Sequence, residues 1–476
     1  MGPIAARVPV PGFSLPRTYY TDPAIFELDL ERLLLRHWFC AGHASSLPAS
    51  GDFFLVDMGR ESVIICRAGD GAIHALLNVC RHRGSRVCVT RSGSAAGGGF
   101  TCPYHAWSYG LDGRLRAARE MPASFNKDDA GLRPLAIRVM EGLIFVSFAA
   151  DPPALDDAAR ALADAAGTHG WAQAKVAHRA SFTINANWKL AVENYMECYH
   201  CQPAHAEFAR RHVYARPARQ GAAIEQAARE RSAKLGINIS DVDGYGLHAR
   251  PGQESVAVLR SALLDGHVTA AADGRQMAPL MGRFPACDGS STYFDIGPVS
   301  DFLAYADHGM IYRFIPRSVN LTEMEVLWLV DAKAEAGRDY DVERLSWLWT
   351  VTSIEDKLII ERNQEGVNSR YYEPGPYSLQ EEYAGRFVAW YLAELGTAAS
   401  GVGTGPPSEV GARSVLTSVP GWLFPSTPAS ALLLLPPLTP PQPTIVNGIA
   451  NGIANRIRAT ECWANLVIFS SLPFSR

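Results

Sequence analysis

No stretch of the chain supplies the roughly eighteen consecutive apolar residues that a membrane-spanning helix requires, so no membrane partner is expected. A basic excess is missing as well. The 44 Lys and Arg stand against 48 Asp and Glu, a formal net charge of -4, which argues against nucleic acid as a partner. The opening residues MGPIAARVPVPGFSLPRTYY hold no apolar run of the secretory kind, so the expected location is the reducing cytoplasm. Nine cysteines in 476 residues are odd in number and too sparse for a disulfide framework. Thiols in such a setting act as buried fillers, metal ligands or nucleophiles, and spacing must separate these roles. An apolar fraction of 47% in a chain of this length builds a sizeable core, excludes wholesale disorder and implies two or more domains.

Residues 18–40 open with the N-cap-like Thr21-Asp22-Pro23 and continue with helical apolar spacing at Phe26, Leu28, Leu33 and Leu34. From Gly51 to Phe148 the texture changes to short β-type runs (FFLVDM, SVIICRA, AIHALLNV, LIFVSFA) separated by Gly, Asp and Asn turns. This predicts a compact all-β module. The Ala- and Asp-rich residues 151–180 predict a helix, and 190–212 read as helical. STYFDIG, MIYRFIP and MEVLWLVDA return to strands, and 340–366 and 378–396 read as long terminal helices. That second part is an α+β arrangement, an antiparallel sheet with helices packed at its ends. The final eighty residues carry eleven prolines and only six charges, and Pro436 and Pro437 interrupt the apolar run ALLLLPPLTPPQP. They read as a Pro-rich, poorly ordered extension without chemistry.

Inside the β module, NVCRHRGSRVC and FTCPYHAWSYG supply Cys80-x-His82, nineteen residues, then Cys102-x-x-His105. Four such ligands suit either a tetrahedral zinc ion or a two-iron cluster in which two thiolates hold one iron and two imidazoles the other. The mixed pairing favours the cluster, because each short motif brings one Cys and one His and so each loop can touch both irons. Gly84 would permit close backbone approach, Pro103 stiffens the second loop, and Tyr104 and Trp107 can shield the sulfurs. Cys66 and Cys88 fall outside the pattern and read as buried thiols.

A second constellation lies in NWKLAVENYMECYHCQPAHAE. Glu197 and His200 are three residues apart and share a helical face. His205 would lie about 140° further round an uninterrupted helix. Pro203 disfavours helix at Gln202, so the chain can turn and return His205 to His200. Two imidazoles and one carboxylate form the facial triad that suits ferrous iron with open positions. The carboxylate must come from SIEDKLIIERNQEG, where apolar residues surround nearly the whole helix and periodicity cannot choose between Glu355 and Asp356.

The motif pair CRHRG…CPYHAW resembles the Rieske domain of the Rieske non-haem iron oxygenases, and ENYMECYHCQPAH resembles their catalytic domain, within it the subgroup acting on quaternary ammonium compounds. The likeness runs over roughly residues 15–395, through YYTDPAIF, AGH and PGPYSLQEEYAGRFVAWY. The spacing between the first motifs is longer than usual by a glycine-rich SGSAAGGG, and Ala106 stands where Gly or Gln is common. This resemblance implies an all-β Rieske [2Fe-2S] domain inserted in a helix-grip catalytic domain. The expected division is an N-terminal segment (1–40), the Rieske domain (41–150), the catalytic domain (151–396) and the extension (397–476). It further implies a [2Fe-2S] cluster on Cys80, His82, Cys102 and His105, and mononuclear Fe(II) on His200, His205 and Asp356. Glu197 would bridge His200 to His105 of a neighbouring subunit in a head-to-tail homotrimer. Electrons would come from NAD(P)H through a separate flavin and iron–sulfur reductase.

The implied reaction is hydroxylation of an N-methyl group of a glycine betaine-like small molecule with O2, releasing formaldehyde. The alternative is aromatic ring dioxygenation or O-demethylation on the same scaffold. A zinc protein or simple electron carrier would leave the second constellation unexplained. A trimethylammonium group favours aromatic faces, for which Tyr195, Tyr199, Tyr293, Phe294, Tyr312 and Trp328 are candidates.

Overall fold

The computed structural model describes residues 9–95, 97–216, 218–242 and 252–396; the expected extension, 397–476, lies outside the described residues. The chain starts with two short helices, α1 (Thr18–Thr21) and α2 (Pro23–Asp29). Pro23 occupies the first turn of α2 and the Asp22 carboxylate caps the Ala24 N–H, so the expected start signal is the one used. The helical pattern stops short of Cys40. After a π-helical turn at Leu30–Leu34 the chain extends into β1 (Phe39–His43), which is buried throughout.

Strands β2 (Asp52–Met58), β3 (Glu61–Arg67), β4 (Ile73–Leu77) and β5 (Ser92–Ser94) form a four-stranded sheet in the order β4-β3-β2-β5. A three-stranded sheet follows, from β6 (Gly99–Thr101), β7 (Ser108–Gly110) and β8 (Leu115–Ala117). β9 (Ala136–Met140) and β10 (Leu143–Ser147) close the β region by pairing with β1 in the order β1-β10-β9. The first long helix, α3 (Asp156–Thr168), fits the Ala-rich expectation, but the chain then enters an unforeseen eleven-residue strand, β11 (Ala174–Ile184). The region read as helical from 190 is broken into α4 (Trp188–Tyr195), α5 (Cys201–Ala204) and α6 (Ala206–Ala209). An unforeseen helix α7 (Ala218–Lys234) and strand β12 (Val256–Ala262) precede β13 (Ser290–Ile296), β14 (Ser300–Ala304), β15 (Gly309–Ser318) and β16 (Leu321–Asp331). The helices α8 (Val342–Asn368) and α9 (Glu382–Glu394) complete the fold.

Strands β11 to β16 form one antiparallel sheet in the order β11-β16-β15-β14-β13-β12. Helices cover both faces of this sheet rather than its ends. Met310, Tyr312 and Phe314 of β15 join the core that holds Leu345, Leu348 and Trp349 of α8, whereas Ile311 joins the core that holds Ala158, Leu162 and Ala165 of α3. Alternate residues thus go to opposite helical layers, and the strands read as continuous apolar runs because both faces are dry. Among the described residues no helix is long and apolar enough to cross a membrane.

A buried ion pair fixes α4 against α2 and α9. The Asp29 carboxylate pairs with the Lys189 ammonium, both fully buried, and accepts from Trp188 Nε1 at 2.9 Å and from the Tyr391 hydroxyl at 2.6 Å. Removing one partner strands the other charge without water. Asp29→Ala is expected to destabilise the protein by about 3–5 kcal/mol, read as a fall in the thermal unfolding midpoint. The pair of changes Asp29→Leu and Lys189→Met should recover most of that loss, since both charges leave together.

Candidate active site

The two Cys/His loops share one backbone scheme. In the first, the Cys80 N–H donates to Ser85 O and the Cys80 carbonyl accepts from Gly84 N; in the second, the Cys102 N–H donates to Trp107 O and the Cys102 carbonyl accepts from Ala106 N. Gly84 and Ala106 therefore occupy equivalent places, and both have positive φ, 77° and 59°. This explains why glycine suits the position that Ala106 holds here, at a cost of about 1 kcal/mol for a residue with a Cβ. Gly84 is needed for its φ and not for close approach, because a Cβ built there meets nothing within 4 Å.

The loops bring all four predicted residues together. Cys80 and Cys102 are buried, and above them His82 Nδ1 faces His105 Nδ1 at 3.1 Å. Two imidazole nitrogens at that distance need a proton or a metal between them, and the thiols supply a matching soft pair. Burial raises the Cys102 thiol, but the Tyr104 and His105 N–H groups, with the Cys80 thiol and the Ser85 hydroxyl, hold it below the ordinary range. The shift is in the direction a cluster ligand requires, since the thiolate is the form that binds metal. The aromatic residues play a different part from the one expected. Tyr104 is more than half exposed and lies on His105 at 3.7 Å between ring centroids, while Trp107 stacks on His82 at 4.8 Å. Tyr109, which the motif reading passed over, places its hydroxyl 3.1 Å from Cys80 Sγ.

The second site is built where α4 ends. Its N-terminus is capped by the Asn187 side chain, and its last turn runs out at Met196. The chain then turns through residues 196–200. Pro203 does not break a helix at Gln202, because it sits in the first turn of α5, where its missing N–H costs nothing. The break falls instead at His205, with φ −118° and ψ 75°. His200 and His205 end with ring centroids 5.1 Å apart and nearly perpendicular.

Both imidazoles direct Nε2 at the same oxygen. Asp356 Oδ1 lies 2.9 Å from His205 Nε2 and 3.3 Å from His200 Nε2. One ligand atom from each of His200, His205 and Asp356 lies within 4.8 Å of the others, so the three could hold one metal ion. Their other nitrogens are fixed by two glutamates: Glu197 Oε1 lies 2.5 Å from His200 Nδ1 and Glu355 Oε2 lies 2.9 Å from His205 Nδ1. The choice that periodicity left open is thus resolved by position on α8. Asp356 belongs to the buried stripe with Leu345, Trp349, Thr352 and Ile360, whereas Glu355 stands one residue aside and reaches the far side of His205. Burial works against charge on His200, yet Asp356 and Glu197 outweigh it and raise its pKa to about 9. Burial likewise opposes ionisation of Asp356, and the two histidines hold it below the usual carboxylate value. The site is thus arranged for positive charge.

Cys198 and Cys201, expected to be free thiols, form a disulfide across the turn that carries His200. The spacing Cys-x-x-Cys was visible, but the reducing assignment argued against pairing.

A cavity opens beside these ligands. Tyr195, Tyr293, Phe294 and Tyr312 line it as anticipated, joined by Phe208, Tyr214, Trp349 and Tyr383. Tyr199 is instead exposed at the surface and Trp328 is sealed in the core, so neither serves the cavity. Asp295 and Asp301 also line it, and among the described lining residues there is no Lys or Arg. Both aspartates were missed because nothing in their strands marks them locally.

A β module carrying paired Cys/His loops, joined to a two-histidine, one-carboxylate centre under a helix-covered sheet, defines an iron-dependent oxygenase of two metal sites. Residues 37–135 match the Rieske [2Fe-2S] domain and residues 171–397 the ring hydroxylating alpha subunit catalytic domain. The chain belongs to the alpha subunits of the Rieske non-haem iron oxygenases. It is 38% identical over 391 residues to the glycine betaine monooxygenase oxygenase subunit of Pseudomonas aeruginosa strain UCBPP-PA14, covering 80% of this chain and 89% of that one. It is 27% identical to the carnitine monooxygenase oxygenase subunit of Acinetobacter baumannii over 76% of this chain and 86% of that one. A solved quaternary ammonium Rieske monooxygenase shares the fold with a TM-score of 0.61 and 24% identity, covering 81% of this chain and 95% of that one. Naphthalene 1,2-dioxygenase does so with 0.59 and 20%, over 82% and 93%.

The Glu355 contact generates a measurable expectation. Glu355→Ala frees His205 Nδ1, and iron affinity at the mononuclear site should fall about 10- to 100-fold while the visible absorbance of the cluster stays unchanged. Iron titration of the metal-free variant reads the difference.

Proposed function

We propose that this chain is the oxygenase component of a system that hydroxylates an N-methyl group of a quaternary ammonium compound of the glycine betaine kind. The observation that carries this reading is the cavity. It offers tyrosine, phenylalanine and tryptophan faces together with buried aspartates, and no Lys or Arg stands among the described lining residues. Such a lining suits a trimethylammonium group, whose charge is spread over methyl groups that pack on aromatic faces. An aromatic acid would bring an uncompensated carboxylate among groups of like sign, whereas a betaine carries its own cation.

In this proposal Cys80, His82, Cys102 and His105 hold the [2Fe-2S] cluster, and His200, His205 and Asp356 hold mononuclear Fe(II). The cluster, once bound, supplies single electrons, and the mononuclear iron supplies the oxygen chemistry. The net reaction takes the trimethylammonium compound, O2, NAD(P)H and a proton to the dimethylammonium compound, formaldehyde, NAD(P)+ and water. The residues around the metals do the positioning. Glu197 and Glu355 hold the two imidazoles in the tautomer that presents Nε2. Tyr195 and Tyr312, 4.8 Å apart, form a wall of the cavity. Asp356 and His205 are buried and His200 is partly so.

The reading extends to the assembly. Glu197 orients His200, and in this proposal it also bridges to His105 of the next subunit in a trimer, giving electrons a short path between subunits. A separate flavin and iron–sulfur reductase in the cytoplasm would deliver them. The division into residues 1–40, 41–150, 151–396 and 397–476 belongs to the same proposal.

Anaerobically reconstituted protein should contain about three irons and two acid-labile sulfides per chain. Stoichiometric zinc without sulfide would sink the reading. With a reductase present, oxygen uptake and formaldehyde release are expected with glycine betaine, carnitine or choline and not with simple aromatic acids. Asp356→Ala should keep the brown cluster, lose mononuclear iron and lose turnover. Glu197→Gln should keep both metals but slow single-turnover electron transfer; unchanged rates would remove the bridging role.

A further inference from the structure

Asp301 is the buried group that the chemistry above does not use. Only 7% of it is exposed, and it lines the cavity beside Tyr195, Tyr293 and Tyr312. Among the described residues it has no hydrogen-bond or ion-pair partner. Its position follows from register. Asp301 of β14 lies directly opposite Tyr312 of β15, and directly opposite Asp295 of β13 on its other side. Residues opposite one another across antiparallel strands share a face, so Asp301 projects to the side of the sheet that carries Tyr312 and the cavity. Tyr195 lies within electrostatic reach of both Asp301 and Asp356. The Tyr195 hydroxyl is itself buried with no hydrogen-bond partner among the described residues.

A carboxyl without a partner in a dry site is unfavourable unless a ligand supplies what is missing. The surroundings define that ligand. A hydrogen-bond donor such as an ammonium N–H would be stripped of most of its water by aromatic walls. A quaternary ammonium has no N–H to satisfy and asks only for opposite charge and apolar contact. From this juxtaposition we infer that Asp301 is the counter-ion for the cationic head of the substrate and the residue that selects a permanent cation over a neutral group of the same shape. The inference rests on the function proposed above and narrows it to one side chain. Burial alone pushes the Asp301 carboxyl up to about 8, so the empty cavity holds it largely neutral. Arrival of a fixed positive charge then favours the carboxylate. A neutral resting carboxyl also means that asparagine, its near-isostere, should fit without loss of folding.

The test compares glycine betaine with 3,3-dimethylbutanoate, which has the same shape with carbon in place of the charged nitrogen. Equilibrium binding of both is measured on metal-loaded wild type, Asp301→Asn and Asp301→Glu. Asp301→Asn should weaken glycine betaine at least tenfold and leave 3,3-dimethylbutanoate equal or tighter. Asp301→Glu should keep the preference for the cation. Equal weakening of both ligands by Asp301→Asn would show a structural role and overturn the inference, as would unchanged betaine binding. If Asp301→Asn fails to fold, wild type alone decides: binding 3,3-dimethylbutanoate, whose head is uncharged, as tightly as betaine overturns it. A formaldehyde assay separates the two levels. Formaldehyde from betaine with binding indifferent to Asp301→Asn rejects only this inference. Absence of formaldehyde with every quaternary ammonium, while Asp301 still selects the cation in binding, rejects the reaction and keeps the charge selector.

Discussion

Two imidazole nitrogens converge on one buried carboxylate oxygen, and the architecture around them makes that convergence possible. Asp356 can remain ionised in a site shielded from water only because His200 and His205 face it. The histidines can face it only because Glu197 and Glu355 hold them from behind. Five side chains from three segments must therefore agree in position. The helices beside them are tied to the rest of the domain at some distance, α4, which leads into the turn of His200, through the Asp29–Lys189 pair and α8, which carries Glu355 and Asp356, through its core stripe on the sheet. A metal ion replaces the protons that such a cluster would otherwise gather. Rigidity of the scaffold and readiness for the cation are thus two aspects of one arrangement.

The iron–sulfur loops solve a different problem by repetition. Each uses a cysteine whose N–H and carbonyl are engaged by the residues four and five positions on, and each needs positive φ at the fourth. The backbone thus places both thiols below and both imidazoles above with the same local fold used twice. Substitutions in these loops are limited by dihedral angle more than by space, since the glycine position is open to solvent.

Charge marks this cavity. The scaffold is shared with a naphthalene dioxygenase as much as with a quaternary ammonium oxygenase, so the fold itself does not choose a substrate. The proposed choice rests on the lining: aromatic walls suit either kind of ligand, and carboxyls beside them with no described Lys or Arg suit a cation. The disulfide between Cys198 and Cys201 adds a covalent brace to the turn that presents His200.

Short-range signals were enough for much of this. The Cys80/His82 and Cys102/His105 pairs, the spacing of His200 and His205, and the strands of β2, β3 and β16 were legible because ligand spacing and apolar alternation are local properties of a chain. β11 was not, since an edge strand with one half-exposed face, AKVAHRASFTI, lacks a strong apolar pattern. Nor could periodicity separate Asp356 from Glu355, because both faces of that helix meet apolar neighbours; family likeness chose, and packing gave the reason. Asp301 was invisible for a deeper cause. Its significance lies in what stands across two strand pairings and one helix from it, and in the absence of any described partner there. Ligand identity is written in residue types at short separation, so the chain alone declares its two metal centres. Which acids orient the ligands, and which one waits for the substrate, depends on groups distant in sequence meeting in a place without water, and only folding brings them there.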